Sequence, residues 1–148
     1  MVRPTLEAVD LWSVWAENLV VGTAVQESRL TYLRQRGRGP ALGIYQVEPL
    51  THADLWINWL DHRPGFAAKA RHFAVHGSGV HPKVDQVVWN LAYATVICRL
   101  HYYRARFDVP AADDVETLAR IWKQHYNTPA GRGTADDFVE NYGRHARQ

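Results

Sequence analysis

Glu27 is the residue of this chain whose position most invites chemistry. Ala16, Val20, Thr23 and Glu27 recur at helical spacing, so the carboxyl continues an apolar, inward-facing stripe. A carboxylate there is costly unless it is paired, neutralised or used. The end of a helix adds to the cost, because the dipole disfavours negative charge at a C-terminus. Both effects favour the protonated form, which is what a general acid near neutral pH requires. The same position also suits a structural ion pair with Arg29 or with the basic cluster at 34–38, and position alone leaves both open.

Other residues offer further chemistry. Glu48 lies two residues beyond Gln46 and would be a second carboxylate if it faced the same site; Asp54 is a more distant option. Both are also what a solvated surface supplies by default. His72, His76 and His81 have spacings that a metal accepts. No fourth ligand of matching character accompanies them, so neither a metal nor a cofactor is expected. Arg29, Arg34, Arg36 and Arg38 with Tyr32 interleaved have the composition of a phosphate-and-base contact. No nucleic-acid-binding motif accompanies that cluster either, and an anionic polymer or membrane surface would suit it equally. The six Trp and seven Tyr exceed what a small core needs, yet packing is their first explanation.

The elements that must position these residues read as helices. The chain has 148 residues, 47% of them apolar, which fits one domain over 1–148 with a sizeable core. Strand-type alternation is nearly absent. Thr5 can cap a first helix to about residue 15, and a second covers 17 to 28. Residues 31 to 49 turn irregular around Gly37, Gly39, Pro40 and Gly43. Short helices are expected over 51–60 and 64–75, the latter with Pro64 at its first position. Val84, Val88, Leu91, Thr95, Cys98, Tyr102 and Ala105 form one stripe and predict a long central helix over 84–107. Asp113 and Glu116 suggest a capping box for a helix to 125, and Thr134 opens a last one to 145.

Several short segments, taken in order, resemble one enzyme family. Val25-Gln26-Glu27-Ser28-Arg29-Leu30 is similar to the Glu-Ser element of soluble lytic transglycosylases, whose core is goose-type-lysozyme-like. Gly43-Ile44-Tyr45-Gln46-Val47-Glu48-Pro49 resembles their Gly-Leu-Met-Gln element, at a similar distance from the Glu. Trp89-Asn90-Leu91-Ala92-Tyr93 looks like the opening of their central helix. Tyr126-Asn127-Thr128-Pro129-Ala130-Gly131 resembles their Ala-Tyr-Asn-Ala-Gly element, and Phe138-Val139-Glu140-Asn141-Tyr142 their Tyr-bearing last helix. The chain departs from the pattern at Tyr45, at Val47, at His125 before Tyr-Asn, and in its Arg-rich 31–41 loop.

The resemblance implies an all-α, lysozyme-like single domain with a long central helix and an irregular loop or small hairpin near the catalytic Glu. It implies cleavage of the MurNAc-GlcNAc β-1,4 bond of peptidoglycan by Glu27 alone, leaving 1,6-anhydro-muramic ends. Gln46 and Asn127 would then bind the N-acetyl group and sugar, and Tyr126 would line the groove. Tyr142 would hydrogen-bond Glu27, and Ser28 would position the acid or the sugar. Two other readings remain: a hydrolase that uses Glu48 as its second carboxylate, and a non-catalytic module that keeps the fold for binding.

Charge and targeting set the expected partners. Net charge is +2 and the sequence pI about 8.8, which draws the protein mildly toward polyanions such as wall polymers. Cys98, the sole cysteine, has no intrachain disulfide partner. Glu7 and Asp10 interrupt any leader-like apolar run, and no segment reaches membrane-spanning length. The expected partner is the peptidoglycan glycan strand, with no nucleic acid. Synthesis in the cytoplasm and delivery to the wall by release or by a phage particle are expected. The expected state is a monomer or a component of such a particle, of the endolysin or virion-associated type.

Overall fold

The computed structural model describes residues 1–34, 39–128 and 131–145. Every regular element among them is helical, so the fold class is all-α. α1 covers Val2–Ala8 and α2 covers Val14–Ser28. Thr5 does not cap α1; it lies inside it, buried, with its hydroxyl donating back to the Met1 carbonyl at 2.9 Å. The break comes earlier than expected, at Asp10, whose φ of 52° is a left-handed value that Asp tolerates better than most residues. Ser13 then takes extended backbone, and its hydroxyl accepts from Ala16 N at 3.3 Å to start α2. Arg29 and Leu30, both at positive φ, end α2 and turn the chain sharply away.

The irregular segment that follows contains isolated bridges rather than strands. Arg34 pairs with Leu42 and Leu42 with Val47. At Gly43, φ is +71° and a Cβ would stand 2.0 Å from the Val87 carbonyl oxygen, so only glycine fits this turn. α3 (Pro49–Leu55) runs into a π-helical turn at Trp56–Leu60. α4 (Pro64–Phe73) begins on its proline as expected.

The expected long helix over 84–107 is instead two. α5 (Gln86–Trp89) and α6 (Leu91–Arg104) are separated by Asn90. The Asn90 side chain accepts from Tyr93 N at 3.0 Å and donates to the Phe73 carbonyl at 2.7 Å. A side chain that offers its own cap competes with helix continuation, and here the cap wins. α6 is nevertheless central: every residue from 93 to 100 is buried. The apolar stripe therefore belongs to a helix covered on all sides. Even Arg99 is buried, donating from Nε to the Leu11 carbonyl and lying over the Trp15 and Tyr103 rings.

α7 (Val115–Trp122) is capped by Asp114, one residue later than expected, and continues as a second π-helical turn at Lys123–Asn127. α8 (Ala135–His145) opens at Thr134, where Thr134 and Asp137 cap each other's backbone N–H. α2 packs against both α7 and α8, and α6 packs against α1, α2, α4 and α5. Buried apolar side chains from each of α2 to α8 join in one cluster, and Val2 of α1 packs against it. Among the described residues no helix is long and apolar enough to cross a membrane.

Candidate active site

Glu27 occupies the last turn of α2 and opens on a cleft of about 970 Å³. Its carboxyl is pushed up from about 4.5 to about 7, first by burial; a hydrogen bond from Trp122 opposes the rise. Trp122 Nε1 donates to Glu27 Oε1 at 2.8 Å. Trp122 is the last residue of α7 and almost fully buried, so its N–H needs a partner inside the protein, and Glu27 is that partner. The apolar indole excludes water from one side of the carboxyl while its N–H fixes the carboxyl's orientation.

Gln46, Tyr126 and Asn127 line the same cleft, although they come from the Gly43 turn and the second π-helical turn. Gln46 has φ of 49° and its Nε2 donates to the Gly43 carbonyl at 2.8 Å, which holds the turn in shape. The Tyr126 hydroxyl donates to the Tyr45 carbonyl at 2.7 Å, tying the two turns together across the cleft floor. Its ring stacks on buried Tyr102 at 5.3 Å. Asn127 Oδ1 accepts from Lys123 Nζ at 2.8 Å, and the same ammonium donates to the Gly131 carbonyl at 2.7 Å. A Cβ on Gly131 would meet Asn127 Oδ1 at 2.3 Å, so the close return of the chain over Asn127 needs a glycine.

Ser28 and Tyr142 do not line the cleft. The Ser28 hydroxyl is buried; it donates to the Ala24 carbonyl at 2.9 Å and accepts from Leu30 N at 3.2 Å. It therefore closes the helix end that carries the acid and has no access to a sugar. Tyr142 is buried and stacks parallel to Phe138, with ring centres 6.3 Å apart. The indole of Trp122, which sequence reasoning had grouped with core tryptophans, supplies the orienting hydrogen bond to Glu27.

Glu48 lines the cleft and is exposed. Asp54 does not line it: Asn58 at 2.7 Å and Arg104 at 2.5 Å hold its carboxylate and keep its pKa below the usual range. His52 and His101, which sequence reasoning did not single out, also face the cleft, as does His125, the residue that departs from the motif before Tyr-Asn. His81 pairs with Asp61 at 2.8 Å, and His72 sits edge-on to Phe73. Among the described residues no three His, Cys, Asp or Glu side chains are gathered as a metal would need. Of the basic cluster, Gln35, Arg36, Gly37 and Arg38 lie outside the described residues.

The arrangement is a carboxyl raised to about 7, in an open cleft that is also lined by amide and phenol groups. No family model, curated protein or solved structure matches the chain. The chemistry of the site therefore rests on its own geometry and on the motif resemblance.

Proposed function

We propose that the chain is a peptidoglycan-cleaving lytic transglycosylase with a lysozyme-like fold and Glu27 as its sole catalytic acid and base. The observation that carries this reading is a carboxyl raised to about 7 by burial against an indole, in a cleft it shares with Gln46, Tyr126 and Asn127. A carboxyl kept protonated by an apolar pocket is how lysozyme retains its general acid. The convergence of those four residues from distant segments is what the motif resemblance requires.

In the proposed reaction, Glu27 gives its proton to the glycosidic oxygen as the C1–O bond breaks. The resulting carboxylate then takes the proton of the C6 hydroxyl of the same muramic sugar, whose oxygen bonds to C1 and closes the 1,6-anhydro ring. The nucleophile is already part of the bound substrate, so proximity replaces a second carboxylate. Gln46 and Asn127 offer amide groups to the acetamido and hydroxyl groups around the bond. A phage-encoded wall enzyme fits this reading.

A second reading has one observation in its favour: Glu48 stands in the same cleft, where it would activate water for hydrolysis. Turbidity loss of a purified peptidoglycan suspension separates the two. Glu27→Gln is expected to lose roughly a hundred- to ten-thousand-fold in rate with an intact fold, the usual cost of removing a proton-transfer group. Glu48→Gln is expected to lose little, and wild-type cleavage to decline above about pH 7 as Glu27 ionises. Equal, severe losses for both variants would establish the hydrolase instead.

A further inference from the structure

Behind His52, which lines the cleft, lies a hydrogen-bond chain whose direction is fixed by chemistry. Trp56 and Tyr93 are fully buried, and His52 is only 4% exposed. Trp56 Nε1 lies 3.0 Å from the Tyr93 hydroxyl, and His52 Nε2 lies 2.7 Å from the same oxygen. An indole N–H can only donate, so Tyr93 accepts from Trp56. The hydroxyl proton of Tyr93 then has one buried acceptor available, His52 Nε2. The reverse arrangement, with His52 donating, would leave a fully buried phenol proton without a partner, at a cost of about 1–3 kcal/mol.

His52 therefore accepts at Nε2 and, when neutral, carries its proton on Nδ1. It stays neutral at physiological pH, because burial, and secondarily the charge of His81, push it down to about 4. Among the described residues, the sealed polar atoms that lack a partner are Arg99 Nη1 and His101 Nδ1. His52 Nδ1 is not sealed and has no protein partner there, and His52 lines the cleft.

We propose that His52 is a substrate-binding residue, an imidazole locked in its Nδ1–H tautomer that donates to the acetamido carbonyl of an N-acetyl sugar in the cleft. The assignment rests on the reading that this cleft takes an N-acetylated glycan. An N–H donor selects an acceptor, and along the sugar chain itself the acetamido carbonyl is the strongest neutral one, since the hydroxyls also donate and the ether oxygens accept weakly. A charged carboxylate would be drawn to the exposed Arg132 on the same cleft before it reached a neutral imidazole. His52 thus supplies recognition from α3, while Glu27 supplies the proton from α2.

Two measurements test this. In the intact wild-type chain, long-range ¹H–¹⁵N correlations report which imidazole nitrogen is protonated; Nδ1 is expected for His52, and Nε2 would overturn the proposal whatever the protein's activity. Binding of an N-acetylglucosamine tetramer and of its deacetylated counterpart is then compared for wild type and His52→Phe, with thermal melts as the folding control. The variant is expected to bind the acetylated tetramer about tenfold more weakly, the scale of one neutral hydrogen bond, and the deacetylated one unchanged. Equal weakening toward both, or none, would overturn the acetamido assignment. A wild type that cleaves peptidoglycan yet shows either result leaves the proposed function standing; one that neither binds nor cleaves removes both.

Discussion

At the scale of single residues, Glu27 is held in a state that costs the fold stability. The folded chain keeps the Glu27 proton up to about pH 7, whereas an unfolded chain releases it near 4.5. The native state binds the extra proton between those values, so its advantage is complete below about pH 4.5 and is lost as pH rises to about 7. A Gln at this position has no proton to lose and still accepts from Trp122. Glu27→Gln is therefore expected to be more stable than wild type at pH 8, by on the order of 3 kcal/mol. The difference should close toward pH 4.5, and thermal melts at the two pH values check it. The raised pKa was legible in the sequence because an acid on an apolar stripe must be neutralised or paired. Its partner was not legible: Trp122 lies 95 residues away, and nothing local marks which acid a buried indole will meet. His52 was overlooked for the same reason, since Tyr93 stands 41 residues further along.

At the scale of elements, periodicity located most of the helices, and side chains that cap or strain the backbone decided where they stop. Ser13, Asn90 and Asp114 each use a short polar side chain to begin a helix, and the stripe over 84–107 gave no sign that Asn90 would divide it. The two π-helical turns, at Trp56–Leu60 and Lys123–Asn127, carry no pattern distinct from an α-helix, because a single wide turn is set by tertiary packing. The second of them delivers Tyr126 and Asn127 to the cleft. The Gly43 turn delivers Gln46, and there the constraint is steric. Gly43→Ala would force a positive φ on alanine and drive its methyl into the Val87 carbonyl. The expected cost is about 2–4 kcal/mol of stability, measurable by chemical denaturation. Any folded fraction should bind glycan weakly because Gln46 moves with the turn; a loss below 1 kcal/mol would show that the turn and α5 separate easily.

At the scale of the whole molecule, α6 is a buried axis around which the other helices are arranged, and the cleft opens where α2, α3 and the two turns meet beside it. The all-helical class was legible from composition and period, since almost no segment alternates as a strand would. The cleft itself was not, because it is made by pieces far apart in the chain, and only the motif resemblance suggested that they converge. In the proposed reaction this cleft breaks a glycosidic bond with one carboxyl and the substrate's own hydroxyl. Mass spectrometry of the soluble products from purified peptidoglycan tests it most directly. The wild-type chain is expected to give 1,6-anhydro-muramic ends, and Glu27→Gln no products at an unchanged or higher melting temperature. Reducing ends from the wild type, or undiminished release by Glu27→Gln, would contradict it.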